Sequence, residues 1–309
     1  MNNIIDYYYN LHPSQLIYKD GKYSFEYLNK NYTFEKVTRP ISDIEALYNV
    51  NKKMLERNIL VHKIIPNIQN NIVTFVDGYS YILMEVFINK DARINLSDLC
   101  YINNNSILIE CSEVLNRYDW ATLWEAKNDF FETQINEVGK KYPNLCTYAN
   151  YYIGLAENAI CYTKKASLIK EDALLSICSK RINSKDNLYS LYNPLNYIYD
   201  YRIRDISEYI KSSFFNDEDA MLFIKEYFDN NYLSYKETLL FFARLLYPSY
   251  FFDLYDEIIN NDLDEKEINR IINKSSEYEK FLNDVYFYLS STYKRYIPSV
   301  DWLIKRSFF

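Results

Sequence analysis

The chain has 309 residues, of which 49% are hydrophobic and 25% charged, enough for one large or two modest globular domains. Its formal net charge of −7 argues against a nucleic-acid partner or an anionic membrane surface, because both bind to basic faces. Its four glycines, Gly21, Gly78, Gly139 and Gly154, are too far apart to form a glycine-rich phosphate-binding loop.

The N-terminal residues lack the basic flank and apolar stretch of a signal peptide. The longest apolar segment, 239–252, is interrupted by Arg244 and Pro248 and is too short to cross a bilayer. We therefore expect synthesis in the cytoplasm and no membrane partner.

Residues 15–37 are predicted to form a three-stranded antiparallel meander, because aromatic and apolar residues alternate in three short segments. An Asp-Gly dipeptide at residues 20–21 is a typical hairpin turn between the first two. On the third predicted strand, the side chains of Tyr32, Phe34 and Lys36 share one face.

A helix is predicted to follow this meander. Pro40 and the capping-box pattern Ser42-x-x-Glu45 indicate its start, and we expect it to end before Pro66. Apolar residues at helical spacing support this prediction.

Two more strands, at residues 72–76 and 79–86, are predicted to complete this part of the chain. An Asp-Gly dipeptide at residues 77–78 joins them. The expected N-terminal lobe, residues 1–88, is therefore a five-stranded antiparallel sheet with one helix.

The rest of the chain, residues 89–309, is predicted to be a larger, mainly helical lobe. A second capping box, Ser234-x-x-Glu237, is expected to begin a helix that ends before Pro248. Other amphipathic or apolar helical segments are predicted at 107–116, 124–141, 146–165 and 268–289. The order of elements predicts an α+β, bilobal, protein-kinase-like fold.

Three segments, 151–160, 199–211 and 243–253, resemble the aminoglycoside-phosphotransferase-like kinases. Within that superfamily they resemble the spore coat proteins of the CotS group, especially its YutH branch. The resemblance covers roughly residues 5–305 and implies the same bilobal fold. It also implies a location in the spore coat and partners among other spore coat or assembly proteins.

Active members of this family hold the nucleotide phosphates with a lysine on the third strand, which a helix glutamate orients. The resemblance assigns these roles to Lys36 and to Glu45 or Glu56. Two alternatives stay open. Glu45 is equally explained as a capping-box residue, and Lys36 is a surface residue if the strand register slips by one position.

The catalytic loop of the family has a His-x-Asp sequence, in which Asp is the base, and an Asn five residues later that helps to hold Mg²⁺. In this chain Ser179, Lys180 and Arg181 stand at the His-x-Asp positions, and Asp186 stands at the Asn position. Arginine stays protonated and accepts no proton. We therefore expect no catalytic residue, with Asp186 as a weak candidate.

Asp200 matches the metal-holding aspartate of the family. A single carboxylate is a poor Mg²⁺ site, because this ion needs further oxygen ligands. The resemblance therefore implies that Lys36, Glu45, Glu56 and Asp200 are a vestigial nucleotide and Mg²⁺ site.

Two functions are compatible with these residues. The first is a catalytically degenerate kinase-like protein, a pseudokinase of the spore-coat type, which acts by protein binding and needs no cofactor. The alternative is an ATP-dependent phosphotransferase of the aminoglycoside-kinase or choline-kinase type, with Mg-ATP as cofactor and a hydroxyl acceptor. In that case Asp186 is a displaced catalytic base.

Overall fold

The computed structural model describes residues 1–19, 21–87, 92–138, 141–261, 263–301 and 303. The chain divides into two compact units. Unit 1 comprises residues 1–116 and 175–202, and unit 2 comprises residues 117–174 and 203–309. The lobe boundary predicted between residues 88 and 89 lies outside the described residues, as do Asp20 of the first predicted turn and Gly139.

The strands are β1 (Ile17–Lys19), β2 (Lys22–Tyr27), β3 (Lys30–Val37), β4 (Lys63–Ile65), β5 (Thr74–Val76), β6 (Tyr79–Val86), β7 (Leu175–Ser179) and β8 (Tyr197–Tyr201). The helices are α1 (Asn2–Tyr9), α2 (Ile41–Glu56), α3 (Leu96–Asn105), α4 (Trp120–Val138), α5 (Pro143–Ser167), α6 (Leu188–Leu191), α7 (Ile203–Phe215), α8 (Ala220–Asn230), α9 (Tyr235–Leu246), α10 (Ser249–Asn260), α11 (Asn269–Ile272) and α12 (Ser275–Phe287).

The larger sheet of unit 1 is antiparallel, with the strand order β1-β2-β3-β6-β4, and β5 also pairs with β6. It has one strand more than predicted, because β4 falls in the segment assigned to the helix before Pro66. That helix, α2, ends at Glu56, and Asn58 then adopts a left-handed φ of 58°. The buried side chain of Asn51 bonds to the backbone of His62 and Ile64, which fixes the path into β4.

Of the two predicted capping boxes, one forms. Helix α2 begins at Ile41, directly after Pro40, so Ser42 lies inside the first turn and caps nothing. Helix α9 begins with the predicted box, in which Ser234 and Glu237 each accept a hydrogen bond from the other's backbone amide. It ends at Leu246, before Pro248, as expected.

The hairpin between β5 and β6 has the predicted turn. Asp77 and Gly78 have φ values of 48° and 80°, both in the left-handed region that two-residue hairpin turns require. Val76 and Tyr79 pair directly across this turn. Strand β6 has the bounds predicted from its alternation, residues 79–86.

Helix α1 covers one face of the larger sheet, called here the α1 face. The side chains of this face and of α1 that pack together are Ile5, Tyr9, Phe25, Tyr32, Phe34, Val76, Tyr81 and Leu83. The hydroxyl of Tyr9 also shares a hydrogen bond with Thr74 of β5, at 2.9 Å. The α1 face is therefore the apolar side of the sheet.

A small second sheet, β7 with β8, belongs to unit 1 and was not predicted. Its strands are held to the first part of the chain by buried polar contacts. The Ile177 amide donates to the Ser106 hydroxyl, and the Asn103 side chain donates to the Arg202 carbonyl. Residues 92–94 also pair with the loop at 186–188 through backbone hydrogen bonds.

Unit 2 is helical in its described residues, with α5 packed against α4 and α9. Its core contains stacked rings, such as Phe131 on Phe252 and Tyr152 on Phe251. The helices predicted at 124–141 and 146–165 correspond to α4 and α5. Across the described part of the chain, no helix combines the length and apolar character needed to cross a bilayer.

Two helix predictions need correction. The segment 107–116, in unit 1, has only a single 3₁₀ turn at Glu113–Leu115. The long helix predicted over 268–289 is divided, because α11 ends at Ile272 and α12 begins at Ser275. In both segments apolar spacing occurs without a continuous helix.

Candidate functional site

A pocket of about 330 Å³ in unit 1 brings β2 and β3 together with the loop between β7 and β8. We call it the Glu35 pocket. Its lining residues are Lys22, Glu35, Lys185, Asp186, Asn187, Tyr189, Ser190 and Asn193. Two carboxylates and two ammonium groups therefore border the same space, and one of the carboxylates belongs to Asp186.

Hydrogen bonds fix the Glu35 side chain in this pocket. Its Oε2 atom accepts from the Tyr189 hydroxyl at 3.0 Å and from Nδ2 of Asn193 at 3.2 Å. Lys22 pairs with Glu35 across β2 and β3, and its Nζ lies 3.7 Å from the centre of the Tyr189 ring. Burial and the neighbouring Glu35 charge raise the pKa of Tyr189 well above its usual range, so Tyr189 is a stable donor.

Lys36 lies on the opposite face of β3, since successive strand side chains point to opposite faces. It shares the α1 face with Phe34, which stacks on Tyr81. Its exposed Nζ lies 3.4 Å from the centre of the Tyr79 ring. The structure therefore does not bring Lys36 to the Glu35 pocket, and its role as a phosphate ligand stays a prediction.

The two predicted helix partners of Lys36 are on α2. Glu45 and Glu56 are both exposed, and neither forms an ion pair or side-chain hydrogen bond with any residue that the structure describes. Sequence reasoning missed Glu35 instead. The alternation of β3 places Glu35 opposite Lys36, but the sequence does not tell which face α1 covers.

Asp186 borders the pocket, yet one of its oxygens is engaged in the loop. Its Oδ2 accepts a hydrogen bond from the Asn183 amide at 2.8 Å. Burial raises the pKa of the Asp186 carboxyl, and this hydrogen bond opposes the shift. The next residue, Asn187, caps α6 by accepting from the Ser190 amide. Hydrogen bonds within the loop therefore engage the side chains of both Asp186 and Asn187.

The residues at the His-x-Asp positions have no carboxylate among them. Ser179 ends β7 and is 2% exposed. The Lys180 amide donates to the Asn196 carbonyl at 2.7 Å, and the Arg181 side chain is exposed. The resemblance therefore predicts a guanidinium, and no carboxylate, at the position of the family's base.

Asp200 is 1% exposed on β8, opposite Ser176 of β7. Its Oδ1 accepts from the Tyr201 amide at 2.7 Å. Asp200 is not among the residues that line the Glu35 pocket, and its role as a metal ligand stays a prediction. Within the described ranges, no group of three or more His, Cys, Asp or Glu side chains is arranged to hold a metal ion.

Solved structures of small-molecule kinases have a similar fold. An aminoglycoside phosphotransferase from Alicyclobacillus acidocaldarius has a TM-score of 0.62 at 11% identity, over 90% of this chain and 93% of that one. A spectinomycin phosphotransferase has a TM-score of 0.55 at 14% identity, over 91% and 92%. The choline kinase LicA from Streptococcus pneumoniae has a TM-score of 0.51 at 12% identity, over 86% and 95%. These similarities confirm the predicted α+β, kinase-like fold.

One relative with a detectable sequence similarity is the endospore coat-associated protein YutH of Bacillus subtilis (strain 168). It is 29% identical over 175 residues, which are 51% of this chain and 51% of that protein. The match thus spans about half the length of this curated relative. The family model described as "Spore coat putative kinase YutH" matches residues 2–285. The chain therefore belongs to the YutH family of spore coat putative kinases.

Proposed function

We propose that this chain is a spore coat pseudokinase, which transfers no phosphoryl group and acts by binding other coat or assembly proteins. The main support for this proposal is the position of Glu35. The face of β3 that borders the pocket presents this carboxylate, held by Tyr189 and Asn193, while Lys36 lies over Tyr79 on the other face.

Charge explains why this arrangement disfavours a nucleotide. Kinases place a β3 lysine against the phosphates. Here Lys22 and Lys185 do no more than balance the charges of Glu35 and Asp186. A phosphate charge 4 Å from the Glu35 carboxylate would be repelled by about 4 kcal/mol at an effective dielectric constant of 20, the value for two like unit charges at that distance. The residues of this pocket therefore do not fit a nucleoside triphosphate with Mg²⁺, and no reaction step is assigned to them.

The base position supports the same conclusion. A kinase needs a carboxylate to accept the proton of the acceptor hydroxyl. Arg181 stands there, and its guanidinium stays protonated. Asp200 lies in β8, 1% exposed, and is not among the pocket residues.

Thermal unfolding with and without millimolar Mg-ATP tests the proposal. A ligand that binds only the folded state raises stability by RT ln(1 + [L]/Kd), so micromolar affinity gives a measurable shift. We expect no shift for this chain, and a clear shift for the similar aminoglycoside phosphotransferase measured in parallel. ATP turnover that Asp186→Asn abolishes, and that the exposed control Glu226→Gln retains, would contradict the proposal.

The binding function has a separate test in spores. We expect the chain in coat extracts of spores of the strain that encodes it, and in no core fraction. Because the proposal requires no catalysis, the double variant with Lys36→Ala and Asp186→Asn should reach the coat at the wild-type level. Loss of this variant from the coat, while it is still folded and expressed, would favour a catalytic role.

One observation favours the alternative, an ATP-dependent phosphotransferase acting on a hydroxyl acceptor. Asp186 borders an open pocket and its pKa is raised, which is the direction that a general base requires. Turnover measured with aminoglycoside and choline acceptors distinguishes the two functions. Product formation with either acceptor, lost in Asp186→Asn, would establish the enzyme.

A further inference from the structure

We draw no further inference here: the strongest candidate, the groove of about 310 Å³ between the start of α8 and α12 that Glu218, Asp219, Glu277 and Asp284 border, is a cluster of acidic side chains, and nothing among the residues that the structure describes shows what binds to it.

Discussion

Two groups of charged side chains in this protein have opposite surroundings. In unit 2, Glu208 contacts Lys211 and Arg244, and all three side chains are 14% exposed or less. We call these three residues the Glu208 cluster. In unit 1, the charges of the Glu35 pocket border an open space of about 330 Å³. The first group is enclosed by protein and the second is open to a ligand.

The Glu208 cluster is satisfied internally. Glu208 accepts from Nζ of Lys211 at 3.0 Å and from Nε of Arg244 at 2.5 Å. Lys211 also donates to the Tyr247 carbonyl and to the Ser249 hydroxyl, which in turn donates to Glu208. The guanidinium of Arg244 further lies over the rings of Trp120 and Trp124.

The difference shows that a concentration of charge does not by itself indicate a functional site. The Glu208 cluster has excess positive charge, but hydrogen bonds and aromatic rings occupy the space around it. The Glu35 pocket has balanced charges and unfilled space. Enclosed charges bind one another, whereas charges around an accessible space can bind a ligand.

The largest expected effect is on the enclosed group. Glu208→Gln leaves two cations buried without their counter-charge, so we expect the free energy of unfolding to fall by about 3–5 kcal/mol. Denaturation in urea, with the slope compared between variants, measures this change. The exposed residue Glu226 of α8 gives the control, since Glu226→Gln should change stability by less than about 0.5 kcal/mol. A loss below about 1 kcal/mol in Glu208→Gln would show that the cluster is not stabilising.

Acid should weaken the same cluster. Although burial alone raises the pKa of Glu208, the charges of Lys211 and Arg244 lower it well below its ordinary value of 4.5. The Glu208 carboxyl therefore takes up a proton more readily in the unfolded chain than in the folded one. The stability that ionised Glu208 contributes is complete above pH 4.5 and is lost progressively at lower pH. The stability of the wild type should therefore fall more steeply than that of Glu208→Gln between about pH 5 and pH 3. If the stability of the wild type and that of Glu208→Gln fall equally steeply with decreasing pH, the acid sensitivity comes from groups other than Glu208.

Local sequence signals predicted part of the fold well. The alternation of residues 79–86 gives the bounds of β6, and the box at Ser234 and Glu237 begins α9. The same pattern at Ser42 failed, because Pro40 directs the chain into the helix at Ile41. Both segments contain the four-residue pattern, but the N-cap residue is Pro40 in the first and Ser234 in the second.

The charged sites depend on contacts that are distant in sequence. Lys36 fits the family plan by position along β3, but α1, which lies before the sheet in sequence, covers its face. Glu35 meets Tyr189, 154 residues away, and Glu208 meets Arg244 across 36 residues. No spacing rule connects such positions, so the sequence predicted the strand and, of the residues that line the pocket, only Asp186.

Within the Glu35 pocket we expect a moderate effect. Tyr189→Phe removes the donor at 3.0 Å from Glu35 and should lower the free energy of unfolding by about 1 kcal/mol. Tyr7→Phe is the matched control, because the Tyr7 side chain is 65% exposed. Urea denaturation measures both. An effect as large as that of Glu208→Gln would show that the pocket is as enclosed as the cluster.

The smallest effect is expected at Lys36. An exposed ammonium over an aromatic ring contributes about 0.5–1 kcal/mol, so Lys36→Ala should lower the free energy of unfolding by no more than this. Lys36→Arg keeps a cation above Tyr79 and should restore most of the loss. Neither variant should alter the response of the unfolding temperature to Mg-ATP, because Lys36 lies on the face of β3 away from the pocket. If Lys36→Ala instead abolishes a stabilisation by Mg-ATP, Lys36 holds phosphate after all, and the assignment of Glu35 as the residue that excludes the nucleotide fails.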